Sequence, residues 1–171
     1  MKKILTLFAV VGLIVFSSCE GPEGPEGPAG PVAPVFEVNN VNFAANGDGI
    51  LQKFPSSIYS GDVILVYRLV DVINGRDVWR PIPESYYYDD GTVYFTYKFN
   101  FTQDDFEIYL DGFELNTIPA NLRTNQTFRI VIVPGDDGVN TKKSINKADY
   151  SDYDAVIKKY NIDDSNVKKL N

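Results

Sequence analysis

The residues of this sequence that could do acid–base chemistry are adjacent aspartates. Two carboxylates facing each other across a cleft could hydrolyse a glycosidic bond, so a carboxylate-based hydrolase such as a glycosidase is one hypothesis. Each pair, however, falls in a predicted turn or at a strand end, where aspartate is common for turn chemistry alone. The pairs therefore favour a structural role. They are Asp89/Asp90, Asp104/Asp105, Asp136/Asp137 and Asp163/Asp164.

The sequence contains no histidine and a single cysteine, Cys19. Without histidine, Ser-His-Asp and Cys-His nucleophiles are excluded, and so is a zinc site built on imidazole or several thiolates. The loops at residues 46–49 and 135–138 offer the oxygen ligands that calcium prefers, but neither has EF-hand spacing. Calcium at these loops stays open. We predict no catalytic residue, no metal site, no cofactor and a protein that is not an enzyme.

Clustered tyrosines are the remaining feature with binding potential. Tyr86, Tyr87 and Tyr88 are consecutive, and Tyr94 and Tyr109 lie on neighbouring predicted strands. Aromatic rings stack on sugars or peptides, and a large exposed patch usually marks an interface. Tyrosine also fills sheet surfaces, where aromatic pairs across strands stabilise the sheet. These five tyrosines are the predicted ligand-binding residues.

Short β-strands must position these side chains. Residues 92–102 alternate between apolar and polar side chains without a break, which predicts a strand with Val93, Phe95, Tyr97, Phe99 and Phe101 facing inward. Three dipeptides predict hairpin turns: Asn74-Gly75, Asp90-Gly91 and Asp111-Gly112. Seven or eight such strands predict a mainly β protein with a single antiparallel β-sandwich at residues 35–135. A small β-barrel is the alternative architecture.

The C-terminal part, residues 136–171, predicts a loop followed by an α-helix that packs on the sandwich edge. Within residues 149–160, Tyr153, Val156, Ile157 and Tyr160 recur at helical spacing, and Ser151 is the predicted N-cap. Residues 161–171 are expected to fray.

The first 18 residues have the layout of a lipoprotein signal peptide. Lys2 and Lys3 precede an apolar run of 13 residues, Ile4–Phe16, which is too short to span a bilayer stably. Small residues then stand immediately before Cys19, which resembles the lipobox of bacterial lipoproteins. We therefore predict that Cys19 carries the lipid that anchors the protein to a membrane.

Residues 19–34 form a spacer with four Gly-Pro-x triplets, whose glycines are Gly21, Gly24, Gly27 and Gly30. Glycine at every third residue suits a collagen triple helix, but so few triplets favour an extended polyproline-II-like stalk. A trimer assembled through this stub is the alternative.

The chain resembles a family of uncharacterised Bacteroidetes lipoproteins with collagen-like spacers. The segments that carry the resemblance are FSSCEGPEGPEGPAGP, DVILVYR, WRPIP, YYYDDG and FRIVIVPG before SDYDAVIKKYNI. The resemblance implies a cell-envelope location and a β-rich domain, and it implies no functional residues.

Charge bounds the partners. Loss of residues 1–18 would leave 14 of the 16 basic residues and all 23 acidic ones, which disfavours nucleic acid as a ligand. The sequence predicts a lipid-anchored protein of the cell envelope, at the outer membrane and either periplasmic or surface-exposed. Its domain is expected to bind an envelope protein or a glycan without catalysis. A carboxylate-based hydrolase and a trimeric structural protein are the alternatives.

Overall fold

A computed structural model describes residues 34–135 and 150–170 of the 171-residue chain. These residues belong to one compact unit, Pro31–Asn171. The predicted signal peptide, Cys19, the Gly-Pro-x spacer and the loop at residues 136–149 lie outside the described residues. Among the described helices, none is long and apolar enough to cross a membrane.

Nine strands in two sheets make up about half of the described chain. One sheet has five strands in the order β4-β3-β8-β1-β9, and the other has four in the order β2-β7-β6-β5. The strands are β1 Val35–Val41, β2 Ile50–Lys53, β3 Val63–Ile73, β4 Arg76–Pro81, β5 Glu84–Tyr87, β6 Val93–Phe101, β7 Asp105–Gly112, β8 Gln126–Val133 and β9 Lys168–Leu170. The helices are a 3-10 turn at Leu115–Thr117, the short α1 at Ala120–Arg123 and α2 at Tyr153–Lys159.

The two sheets confirm the predicted β-sandwich and exclude the small barrel for the described residues. Their inner faces enclose an apolar core in which Phe95, Tyr97 and Phe128 are fully buried. The inward alternation predicted for β6 holds at its centre, but its ends, Val93 and Phe101, are exposed. Alternation assigns a side chain to a face of the sheet, whereas cover by the opposite sheet decides whether it is buried.

Helix α2 covers the outer face of the five-stranded sheet, so its predicted position at the sandwich edge is wrong. Tyr153 and Val156 of α2 pack with Tyr67 and Val131 of the sheet in a second buried cluster. This second layer explains why β3 is apolar on both faces. The N-cap is Asp152 rather than Ser151, because Asp152 Oδ1 accepts the Ala155 N–H at 3.1 Å.

The C-terminal residues form strand β9, so the prediction that residues 161–171 fray is wrong for this segment. β9 pairs in parallel with β1, and all other strand pairs are antiparallel. Leu170 lies opposite Val38 and packs against the core. Without β9, the edge of β1 would have unpaired backbone donors and acceptors, and β9 binds to them. The polar sequence around β9 gives no sign of this pairing.

Two of the three predicted hairpins are present. Asn74 and Gly75 both have positive φ, at 52° and 75°, and join β3 to β4. Asp90-Gly91 joins β5 to β6. Asp111-Gly112 is not a hairpin, because β7 continues through Gly112 and the 3-10 turn follows. A Cβ at Gly112 would lie 2.4 Å from the Tyr94 carbonyl oxygen, so this glycine allows close strand contact.

Candidate functional site

The outer face of the four-stranded sheet is exposed, in contrast to the helix-covered face of the other sheet. We call this surface the open face. Its side chains include Leu51 of β2, which is 69% exposed, and Tyr87 of β5, which is 61% exposed. The rest of this face is mainly polar, with Lys98 paired to Asp111 and Asn100 to Glu107.

Two predicted tyrosines meet at one end of the four-stranded sheet, where Tyr94 also packs against the core. The ring centroids of Tyr88 and Tyr94 are 4.6 Å apart, with their planes tilted by 37°. The Tyr94 hydroxyl is 2.7 Å from Thr117 Oγ1, and the Tyr88 hydroxyl is 3.4 Å from Glu114 Oε2. The register of β5 against β6 shifts between Tyr86 and Tyr87, which marks a β-bulge. The bulge brings Tyr94 beside Tyr88.

Phe113 extends this aromatic surface. Its side chain is 70% exposed, and its N–H donates to the Tyr94 carbonyl at 3.0 Å. We call Tyr88, Tyr94 and Phe113 the aromatic patch. The sequence analysis missed Phe113 because it assigned a hairpin to the preceding Asp-Gly. The available sequence signal was an apolar residue at the end of a strand whose inward-facing positions were already occupied by apolar residues.

Tyr86, predicted as a ligand-binding residue, lies with the core. Its ring stacks on Phe95 with centroids 4.7 Å apart, and its hydroxyl accepts a hydrogen bond from Arg68 at 2.7 Å. Three consecutive tyrosines on a strand cannot all face outward, because successive side chains alternate between faces. Tyr109 lies opposite Lys98, about 13 Å along β6 from Tyr94 at roughly 3.3 Å per residue.

Acidic residues adjoin the aromatic patch. Asp89 and Asp90 directly follow Tyr88, and Glu114 directly follows Phe113. Asp90 accepts the Thr92 N–H, and this backbone hydrogen bond lowers the pKa of Asp90. Desolvation, followed by the negative charge of Glu114, raises the pKa of Tyr88. The aromatic patch therefore has carboxylate side chains beside it.

The backbone of Glu114 is strained. Its φ is 48°, in the left-handed region, and every other described non-glycine residue with positive φ is an asparagine. A residue such as glutamate adopts this conformation at a cost of about 1–2 kcal/mol. The fold therefore holds the Glu114 carboxylate beside Tyr88 against a local preference.

The described aspartate pairs accept hydrogen bonds within turns and from neighbouring segments, which fits the structural role that the sequence indicates. Thr102 donates its hydroxyl to Asp105, and Ser57 donates its hydroxyl to Asp104. Asp163 accepts from Ser165, whereas Asp164 accepts from the Tyr153 hydroxyl at 2.9 Å. Residues 136 and 137 lie outside the described chain.

The loop at residues 46–49 closes on itself. Asn46 Nδ2 donates to Asp48 Oδ2 at 2.8 Å, and the Gly47 carbonyl accepts from Leu110 N–H at 2.9 Å. Within residues 34–135 and 150–170, no group of three acidic or cysteine residues is placed to hold a metal ion. The second loop considered for calcium, residues 135–138, lies almost entirely outside the described chain.

A charged cluster that the sequence analysis missed lies inside the sandwich. Arg68 of β3 donates to both carboxylate oxygens of Glu84 on β5, at 2.8 and 3.1 Å, and to Gln126 at 3.0 Å. Its guanidinium carbon lies 4.7 Å from the Tyr97 ring centroid. Burial alone would raise the pKa of Glu84, but hydrogen bonds from Arg68 and Arg80 hold it below its ordinary value. This cluster joins the two sheets.

A second arginine holds α2 against the five-stranded sheet. Arg129 donates to Glu37 at 3.2 Å and to the Tyr153 hydroxyl at 3.0 Å, and its guanidinium lies 4.3 Å from the Trp79 ring centroid. Burial, only partly offset by Arg129, raises the pKa of Tyr153. An arginine within an apolar strand was the sequence signal for both clusters.

A cleft of about 220 Å³ lies beside β3, where the chain crosses from β4 to β5. Its lining contains no acidic side chain, so it does not provide the paired carboxylates that glycoside hydrolysis needs. The lining residues are Leu65, Val66, Tyr67, Pro81, Ile82, Pro83, Phe99, Tyr150 and Ser151.

Comparison with known proteins gives no relative. No family model matches the sequence, and it matches no curated protein and no solved structure. Function must therefore be inferred from the molecule itself. The surface best arranged to bind a ligand is the aromatic patch with its acidic surroundings.

Proposed function

We propose that this protein is a lipid-anchored protein of the cell envelope whose β-sandwich is a non-enzymatic binding module. The position of Cys19 directly after a signal-like segment supports the anchor, and the resemblance to Bacteroidetes lipoproteins supports an outer-membrane location. The Gly-Pro-x spacer would hold the domain away from the membrane. The aromatic patch is the proposed ligand-binding surface.

The observation that carries this proposal is the Tyr88–Tyr94 ring pair, in which Tyr88 is 37% exposed and both hydroxyls are held by hydrogen bonds. Tyrosine gives a large contact area at a small cost in side-chain entropy, and it is enriched where partners bind most tightly. Because Glu114 and Thr117 fix the two hydroxyls, the rings are ordered before a ligand arrives. Such preorganisation increases affinity.

Phe113 adds contact area beside the pair, because its N–H bonds to the Tyr94 carbonyl and its side chain is 70% exposed. Polar groups lie at the margin, where a ligand can exchange hydrogen bonds with them. An apolar centre with a polar margin is the usual organisation of a protein interface.

Binding can be tested with the full-length protein in neutral detergent micelles. The panel would contain purified envelope polysaccharides and defined peptides, with affinity measured by calorimetry. We expect one ligand class to bind, Tyr88→Leu to weaken that binding, and Tyr109→Leu to leave it unchanged. Tyr109 is the matched control because it is a partly exposed tyrosine of the same sheet, away from the patch. Equal effects of the two variants, or no binding at all, would contradict the proposal.

The anchor can be tested separately by labelling cells with a palmitate analogue. We expect the wild-type protein to be labelled and Cys19→Ala to be unlabelled. A wild-type protein without label would refute the lipid anchor and leave the binding surface to be judged on its own test.

A further inference from the structure

We infer that the ligand of the aromatic patch is a positively charged polypeptide segment, whose lysine or arginine side chains contact Tyr88, Tyr94 and Glu114. This inference rests on the proposed function, because it names the ligand class of the same surface. It follows from three observations: the charge around the patch, two arginine clusters elsewhere in the fold, and the position of β5.

The charge distribution selects a cationic ligand. Asp89 and Asp90 directly follow Tyr88, and Glu114 directly follows Phe113. The one basic residue between 84 and 117, Lys98, pairs with Asp111. An acidic polysaccharide or nucleic acid would be repelled here, whereas a basic segment would be attracted and steered to the site.

The fold twice combines aromatic rings, a carboxylate and an arginine. Arg68 lies over Tyr97 and pairs with Glu84, and Arg129 lies over Trp79 and pairs with Glu37. In both places the cation is attracted by the negative ring face and by the carboxylate.

The aromatic patch has the same rings and carboxylate but no such cation. Glu114 lies beside the rings of Tyr88 and Tyr94, and within residues 34–135 and 150–170 no lysine or arginine lies over either ring. A side chain of the partner would supply the cation and complete the arrangement.

The neighbouring edge strand favours a polypeptide over other cationic molecules. β5 is at the edge of its sheet, and among the described strands it pairs with β6 alone. The edge offers backbone donors and acceptors directly beside Tyr87. An extended peptide can bond to such an edge while its alternate side chains reach the patch.

The test is calorimetric titration of the full-length protein, in neutral detergent, with a twelve-residue peptide of alternating lysine and glycine. The matched probes are the same peptide with acetylated lysines and a soluble cationic polysaccharide. We expect the lysine peptide to bind, its affinity to fall as salt rises, and the acetylated peptide not to bind. Tighter binding of the polysaccharide than of the peptide would overturn the assignment to a polypeptide.

Variants locate the contact. Glu114→Gln should weaken binding about five-fold, which corresponds to an exposed ion pair of about 1 kcal/mol. Asp71→Asn removes one charge on the exposed β3–β4 hairpin and should change affinity less than about two-fold. Tyr88→Phe keeps the ring but loses the hydroxyl bond to Glu114, and it should weaken binding less than about two-fold, whereas Tyr88→Leu should bind several-fold more weakly. Equal losses for Glu114→Gln and Asp71→Asn would show attraction by net charge alone and overturn the inference.

The two proposals fail in different ways. If a neutral ligand binds and needs Tyr88 while the lysine peptide does not bind, the inference on charge is wrong and the binding module stands. If neither binds, both are wrong.

Discussion

Replacement of Glu84 by glutamine should destabilise the protein strongly. Arg68 is 4% exposed and Glu84 is 8% exposed, so neither charge is hydrated from outside. The variant keeps the size of the side chain but removes the negative charge and turns an NH2 group toward the guanidinium donors. Removing one partner of a buried ion pair costs about 3–5 kcal/mol. That is a large part of the ~5–15 kcal/mol that usually stabilises a domain.

Urea unfolding followed by fluorescence of Trp79, the one tryptophan of the chain, measures this cost. Arg80→Gln is the matched control. Arg80 also contacts Glu84, but its side chain is 54% exposed, so its loss should cost at most about 1 kcal/mol.

A double variant separates the buried charge from lost packing. Arg68→Met with Glu84→Met removes both charges, and it should cost less than Glu84→Gln alone, because no charge is left buried. A cost below about 1 kcal/mol for Glu84→Gln would refute the reasoning. A double variant less stable than Glu84→Gln would also refute it.

Three further predictions concern stability. Because the pKa of Glu84 is lowered in the folded state, its stabilisation is complete above about pH 5 and is lost as pH falls through the folded-state pKa, so wild type and Glu84→Gln should converge in unfolding free energy in acid. Gly49→Ala would place a Cβ 2.0 Å from the Ile108 carbonyl oxygen, and a melting temperature lowered by more than 10 °C is expected, at roughly 4–8 °C per kcal/mol. Asp152→Ala removes the cap of α2 and should cost about 1 kcal/mol in urea unfolding, whereas Asp152→Asn should cost less.

Each of these has a contradicting outcome. A pH-independent difference between wild type and Glu84→Gln would place the charge outside the cluster. An unchanged melting temperature for Gly49→Ala would mean that β7 does not approach this loop. Equal stabilities of Asp152→Ala and Asp152→Asn would show that the Asp152 side chain does not cap α2.

The sequence predicted most of the sandwich because its signals were local. Strand β6 lies at Val93–Phe101, within the predicted residues 92–102, and Asn74-Gly75 has the positive φ values that its hairpin requires. The position of α2, strand β9 and the end of β7 depended on which surfaces meet in space, and no local pattern contains that information.

The site was predicted in part for the same reason. Tyr88 and Tyr94 were identified as binding residues, and a bulge brings them together. Tyr86 was predicted to face a ligand, but the sequence alone does not show which of three consecutive tyrosines face outward. That depends on the pairing with the neighbouring strand. Phe113 and Glu114 were missed because their position follows from a turn that the Asp-Gly signal misrepresented.

The most direct test of the central claim is a hydrogen-exchange footprint of the full-length protein with the bound ligand from the panel. We expect slower amide exchange in residues 84–94 and 109–117 when the ligand binds. Residues 153–160, which lie on the other sheet, should exchange at unchanged rates. Protection confined to residues 153–160 or to the β3–β4 hairpin would contradict the account.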